Sequence, residues 1–101
     1  MEYRLEYLPS SAADILQAET GLYEFSPAAA DKFTDEIRRL TETLGKYPLM
    51  YQAYEDDGYF RSMPLPYNYR LFYHVSEKTE TVKIHRIIHG MRDLSKVLYE
   101  L

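Results

Sequence analysis

Nine of the chain's fifteen Lys, Arg and His residues fall between residues 59 and 93: Arg61, Arg70, His74, Lys78, Lys83, His85, Arg86, His89 and Arg92. A guanidinium presents paired N–H donors that match phosphate oxygens and stays charged at physiological pH. An imidazole, with an ordinary pKa near 6.5, can give or take a proton around neutrality. Gathered on one surface, these groups would hold a polyanion and move protons beside it. The eleven tyrosines offer flat faces on which bases could stack, but most recur at alternating or helical spacing, where packing accounts for them. Three histidines with no cysteine make a poor metal-ligand set; His85 and His89 are four apart, but on a strand that spacing separates them by about 13 Å.

These side chains can act together only if the backbone aims them the same way. Residues 2–8, EYRLEYL, alternate charged and apolar positions with Tyr3, Leu5 and Tyr7 on one face, the pattern of a half-buried strand. Pro9 ends it. Ser10 or Ser11 then caps a first helix, in which Ala12, Ile15, Leu16, Glu19, Leu22 and Tyr23 share a face, and Gly21 leaves its end open. Ser26-Pro27 restarts a helix, because serine accepts the orphan amides of a first turn and proline's fixed φ suits the first helical position. Ala30, Phe33, Ile37, Leu40 and Leu44 recur at alternating steps of three and four until Gly45 and Pro48, and so short a junction makes the two helices a hairpin.

An aromatic connector follows, with Tyr47, Tyr51 and Tyr54 about one helical turn apart, a spacing that suits a short helical segment. Gly58 opens the strand-rich part. Strands are expected at about residues 59–64, 67–76 and 81–89, separated by Pro64-Leu65-Pro66 and by a turn at 77–80. Asp93 caps a short last helix ending near Tyr99. The order strand, helix, helix and three meandering strands predicts an α+β fold of two layers, a helix hairpin on one face of the sheet.

Strict alternation sends Tyr69, Leu71, Tyr73 and Val75 one way and Asn68, Arg70, Phe72 and His74 the other. In the next strand it separates Val82, Ile84 and Ile88 from Lys83, His85 and His89. With the aliphatic sets under the helices, the open face is expected to carry Arg70, His74, Lys83, His85 and His89. Arg86 breaks the pattern, and either a β-bulge or a snorkelling stem would accommodate it.

A chain of 101 residues supports one domain and has no material for a cofactor-holding lobe. The absence of cysteine suits a reducing cytosol. The opening MEYRLEYLPSSAADIL has neither a basic leader nor an apolar run near the roughly 18 residues a membrane span needs, so a soluble, cytoplasmic protein is expected. The net charge of −4 conceals an asymmetry: residues 1–60 hold five Lys/Arg against twelve Asp/Glu, and residues 61–101 hold seven against four. A local basic face can still attract a polyanion, with weaker steering than a basic protein provides.

Tyr69-Arg70-Leu71-Phe72-Tyr73, then residues 82–84, then His89-Gly90-Met91-Arg92-Asp93-Leu94, behind a helix hairpin, resemble the RelE/ParE superfamily of toxins from bacterial type II toxin-antitoxin modules. The resemblance implies a growth inhibitor held inactive by a cognate antitoxin in a hetero-oligomer. It also implies one of two targets: RelE-like and YoeB-like members cut messenger RNA on the ribosome, whereas ParE-like members inhibit DNA gyrase without nuclease chemistry.

Cleavage by 2′-hydroxyl attack needs a base, cations for the charge growing on phosphate, and an acid for the leaving oxygen. On the RelE pattern, Arg61, Arg70 and Arg92 fall at basic positions. Met63 replaces that pattern's second lysine, and Leu98 its late tyrosine, with Tyr99 a step of about 100° further round a helix. On the YoeB-like pattern, Arg70 matches again and His89 falls at the proton-transfer histidine, but Gly90 stands where a tyrosine follows. The ending His-Gly-x-Arg-Asp is that of ParE-like members. The resemblance thus leans slightly to cleavage, with Arg70 and Arg92 stabilising phosphate, Arg61 positioning it and His89 as acid or base. The alternatives are a binding inhibitor of gyrase, or a degenerate member that only binds antitoxin.

Each of these residues also has a structural alternative. Arg70 can pair with an acidic helix residue or lie along tyrosine rings, and Arg61 can guard a sheet edge against self-pairing. Asp93 can cap a helix with Arg92 tied to its end, and His89 can be a hydrogen-bonded group before Gly90.

Overall fold

The computed structural model describes residues 2–53 and 58–90. Strand β1 (Arg4–Tyr7) leads into helices α1 (Pro9–Phe25) and α2 (Pro27–Lys46), and strands β2 (Arg61–Leu65), β3 (Tyr69–Ser76) and β4 (Thr81–His89) follow. The sheet order is β1-β4-β3-β2. β2, β3 and β4 form the expected antiparallel meander, while β1 lies parallel to β4 with Leu5 beside Val82 and Tyr7 beside Ile84. The result is the anticipated α+β arrangement with a mixed four-stranded sheet. The last helix expected at residues 93–99 lies outside the described residues.

The hairpin forms for the reasons its sequence suggests, with differences at the ends. Ser26 alone joins the helices: its N–H donates to Leu22 O at 2.7 Å, and its Oγ accepts from Ala29 N–H at 3.3 Å. Pro9 occupies the first position of α1, where no N–H is needed. Ser10 and Ser11 therefore sit inside the first turn and do not cap it. The Ser11 hydroxyl donates back to Leu8 O, and that of Ser10 donates to the His85 carbonyl, both at 2.7 Å. α1 continues through Gly21 to Phe25. At the end of α2, Tyr3 N–H donates to Gly45 O at 2.8 Å, and a Cβ on Gly45 would lie 3.2 Å from Tyr3 O, so glycine lets β1 pass close to the helix. Among the described residues, no helix is long and apolar enough to cross a membrane.

The main core lies between the hairpin and the sheet. Ala18, Phe33, Ile37 and Leu44 from the helices meet Met63, Leu65, Leu71, Tyr73, Val82, Ile84 and Ile87. Tyr7 reaches across this layer, its phenol donating to Thr41 Oγ1 at 2.8 Å.

One residue changes which side chains share a face. Phe72 is paired with Arg86 but Tyr73 with Ile84, so His85 is extra in β4. Such a bulge resets the alternation beyond it. Ile87 therefore takes the place under the helices expected of Ile88, and His89 follows it to that side, opposite Tyr69. The expectation that His89 belongs to the open face is corrected by this bulge.

Among its described residues the connector runs through a turn at 48–49 and forms no helix, and Ala53 bridges to Arg61; Tyr54 lies outside the described residues. Residues 59 and 60 leave the β2 ladder and fold across the sheet's other face. There Tyr59 stacks on His74, with centroids 4.0 Å apart and planes 7° from parallel, and Phe60 meets His85 edge-on at 5.0 Å. Phe60 and Phe72 are buried on this side. Between β2 and β3, Pro66–Asn68 makes a 3-10 turn with Tyr67 and Asn68 at φ 62° and 64°. Gly90 N–H donates to Asn68 O at 2.7 Å, and a Cβ on Gly90 would lie 2.9 Å from Asn68 Oδ1.

Candidate functional site

The sheet's open face carries Arg4 and Glu6 from β1, Lys83 and His85 from β4, and Arg70 and His74 from β3, as the registers and the buried opposite face require. Arg70 donates from Nη2 to Ser62 Oγ at 3.0 Å, and Arg4 from Nη2 to Thr81 Oγ1 at 3.4 Å. Glu6 is the register partner of Lys83. Against this cationic strip the end of the connector lies flat, with His74 Nδ1 2.8 Å from Tyr59 O. His85 Nε2 is buried with no hydrogen-bond partner in the described structure. Burial, and after it the charges of His74 and Lys83, hold the His85 imidazole below its ordinary range, favouring the neutral ring.

Arg61 and His89 face the helices. Arg61 stands opposite Tyr73, and its Nη1 donates to the Tyr51 carbonyl at 2.6 Å, clamping the connector to β2. Met63, two residues on, is fully buried. The Tyr73 hydroxyl is buried without a partner in the described structure, and burial pushes its pKa up to about 12, although the Arg61 charge opposes the shift. His89 packs edge-on against Tyr69 at 5.1 Å. It lines a cleft of about 350 Å³ with Asp14, Gln17, Ala18, Gly21, Tyr69 and Ile87.

The structure therefore separates the sequence-predicted set. Arg70 lies on the open face, Arg61 and His89 lie on the helix side, and Arg92 lies outside the described residues. The expected open-face group keeps Arg70, His74, Lys83 and His85 together and loses His89.

Two partners were missed by sequence reasoning. Asp14 receives Arg86 in a two-pronged ion pair, Nε to Oδ2 at 2.6 Å and Nη2 to Oδ1 at 3.0 Å, and its Oδ2 also accepts Ile87 N–H at 3.0 Å. Both side chains are mostly buried. A signal for this was present: Ser11, Asp14, Ala18 and Leu22 are spaced as an inward row of α1, and a carboxylate in such a row needs a buried cation. Ser62 carried no comparable signal, because its link to Arg70 depends on strand register. Among the described residues, no group of three His, Cys, Asp or Glu converges as a metal site would.

The model of a family described as "ParE toxin of type II toxin-antitoxin system, parDE" matches residues 5–94. Among solved structures, the chain is similar to one in the crystal structure of the toxin-antitoxin complex RelBE2 from Mycobacterium tuberculosis. The TM-score is 0.62 at 18% identity, over 88% of this chain and 99% of that one. That likeness shows a shared fold. No match is found among curated proteins.

Proposed function

The chain belongs to the ParE toxin family of type II toxin-antitoxin systems, and from that premise we propose that it arrests growth by binding DNA gyrase rather than by cutting message, a cognate antitoxin holding it inactive. The observation that carries the choice is the splitting of the candidate cleavage residues between two faces of the sheet. A phosphate undergoing 2′-hydroxyl attack needs its cations and its proton carrier within hydrogen-bond reach of one centre. Arg61 and Arg70 stand on opposite sides of the sheet, and His89 stands with Arg61. Met63, in place of a second cation, is enclosed in the core. Gly90 stands where the YoeB-like pattern has a tyrosine.

Binding makes smaller demands. An open face with Arg70 and Lys83 beside aromatic groups suits a protein surface of opposite charge, where such cations contribute steering and register. Ribosome-dependent cleavage, with Arg70 and Arg92 on phosphate, Arg61 positioning it and His89 transferring protons, is the competing mechanism, and one pair of assays separates the two. Purified protein is expected to inhibit supercoiling by gyrase while ribosome-bound message stays intact. New message ends with unimpaired supercoiling would overturn the proposal. Within the binding mechanism, Arg70→Ala weakens gyrase inhibition about tenfold, the scale of a well-placed contact charge.

A further inference from the structure

Just before β2 the backbone turns at Gly58, whose φ of 71° lies in the left-handed region that an L side chain adopts only at a cost. A Cβ there would meet nothing within 4 Å, so the turn itself, and no crowding, calls for glycine. The turn lays residues 58–60 as a strap across the open face. Tyr59 stacks on His74, and its carbonyl lies 2.8 Å from His74 Nδ1. Phe60 is buried and stands edge-on to His85, as does Tyr59 at 5.9 Å. Lys83 is the register partner of His74, so the strap lies beside that lysine, with Arg70 further along β3.

His85 is the extra residue of the β4 bulge, and its Nε2 is buried with no hydrogen-bond partner in the described structure. A charged ring in this place would hold an N–H without an acceptor under two aromatic side chains, which costs far more than a neutral one. The titratable and charged groups around it are Tyr59 from the strap, His74 from β3 and Lys83 on β4 itself. Arg86, next along β4, is taken by Asp14, and Glu6 stands on the far side of Lys83, across from β1. Burial first, then the charges of His74 and Lys83, favour the neutral imidazole.

We propose that residues 58–60 are a proton-linked strap over the open face, shut while His85 is neutral and lifted when it is charged, and that the lifted form is the one that engages gyrase. The last clause rests on the gyrase reading above and adds regulation to the same face. Linkage supplies the sign: a proton that enters readily only when the strap is up must favour the raised strap by the factor by which raising it tightens the proton. Falling pH therefore opens the face, and a partner that takes only the open form draws the proton in with it. Lifting uncovers the His85 ring and the apolar side of Phe60 beside Lys83 and Arg70, an aromatic centre flanked by cations such as protein contacts use. The conformational change is concentrated at Gly58.

The test uses the full chain, whose three imidazoles are followed by proton NMR from about pH 7.5 to about pH 5. The Tyr59 and Phe60 ring signals move to solvent-like positions in step with His85, while those of Phe33 in the core stay in place. Rings that hold still as His85 titrates, or that follow His74 instead, overturn the proposal. Gly58→Ala then removes no side chain of the strap and strains its shut backbone alone. One L residue held left-handed shifts the balance toward the lifted form about fivefold, so His85 binds its proton about fivefold more tightly and gyrase is inhibited at about fivefold lower concentration. Proton affinity unchanged in the folded variant overturns the strap. Inhibition unchanged while proton affinity rises overturns its role as a gate. Wild-type protein that leaves supercoiling untouched removes the gyrase reading and the gate with it, while the titration, which needs no partner, still decides the strap.

Discussion

The sheet's cations Arg61, Arg70, Lys83 and Arg86 are equally half-buried but hold different partners. Arg61, on the helix side, is committed to the Tyr51 carbonyl, and Arg86 of β4 to Asp14 of α1. On the open face, Arg70 makes a single bond to a serine hydroxyl and Lys83 faces Glu6 across the strand register. A guanidinium already satisfied in a buried pair has little left to offer a ligand, whereas one resting on a neutral hydroxyl can exchange that bond at small cost. The number of cations in a segment thus says less about a binding site than the partners the fold has given them.

The strongest way to break this contrast is to place a cation where the cleavage pattern would have one. Met63 is 0% exposed, so Met63→Lys is expected to cost about 4–7 kcal/mol, the pKa penalty of a fully buried lysine expressed as free energy. A denaturant titration reads this directly. A variant as stable as the wild type that cuts message would put a nuclease site on the helix side and undo the comparison.

Asp14→Ala comes next. It strands the Arg86 guanidinium and the Ile87 N–H in a site where the paired side chains are 13% and 10% exposed, at an expected cost of about 3–5 kcal/mol. Arg70→Ala, on the open face, is expected to cost about 1 kcal/mol. Equal losses in the two variants, measured from the same denaturation curves, would mean that the faces do not differ as described.

The smallest effect is a pH dependence on the open face. Because the folded state holds His85 below its ordinary pKa of 6.5, with Tyr59, Phe60, His74 and Lys83 around it, the neutral ring is the form that folding favours. Its contribution is complete above about pH 6.5 and is lost as pH falls through the lowered value. Wild-type stability should therefore drop more steeply from about pH 7 to about pH 5 than that of His85→Gln. Parallel slopes would show that the packing of Tyr59 and Phe60 does not depend on a neutral His85.

Much of this was legible in the residues. The three-four spacing of Phe33, Ile37 and Leu44 and the Ser26-Pro27 junction gave the hairpin, and β4 begins and ends at the expected Thr81 and His89. Periodicity of this kind is local, so a single chain displays it. The face of each candidate residue past position 85 was not legible. One unpaired residue in β4 inverts the alternation for everything beyond it, and no local signal distinguishes a bulge from a snorkelling arginine at Arg86. The Asp14–Arg86 pair joins residues far apart in sequence, and only packing α1 along β4 brings them within reach.

By itself, then, the sequence determined the order of the described elements, the apolar stripe of α2 and the family resemblance, because each rests on residue types at short spacing; the face expected of α1 was turned, leaving Leu16 and Tyr23 65% and 62% exposed. The tertiary structure decided which cations share a surface. That decision turned on a single-residue offset between two strands and on whether a carboxylate, a carbonyl or a serine hydroxyl lay at the end of each side chain, quantities that exist only once the layers have met.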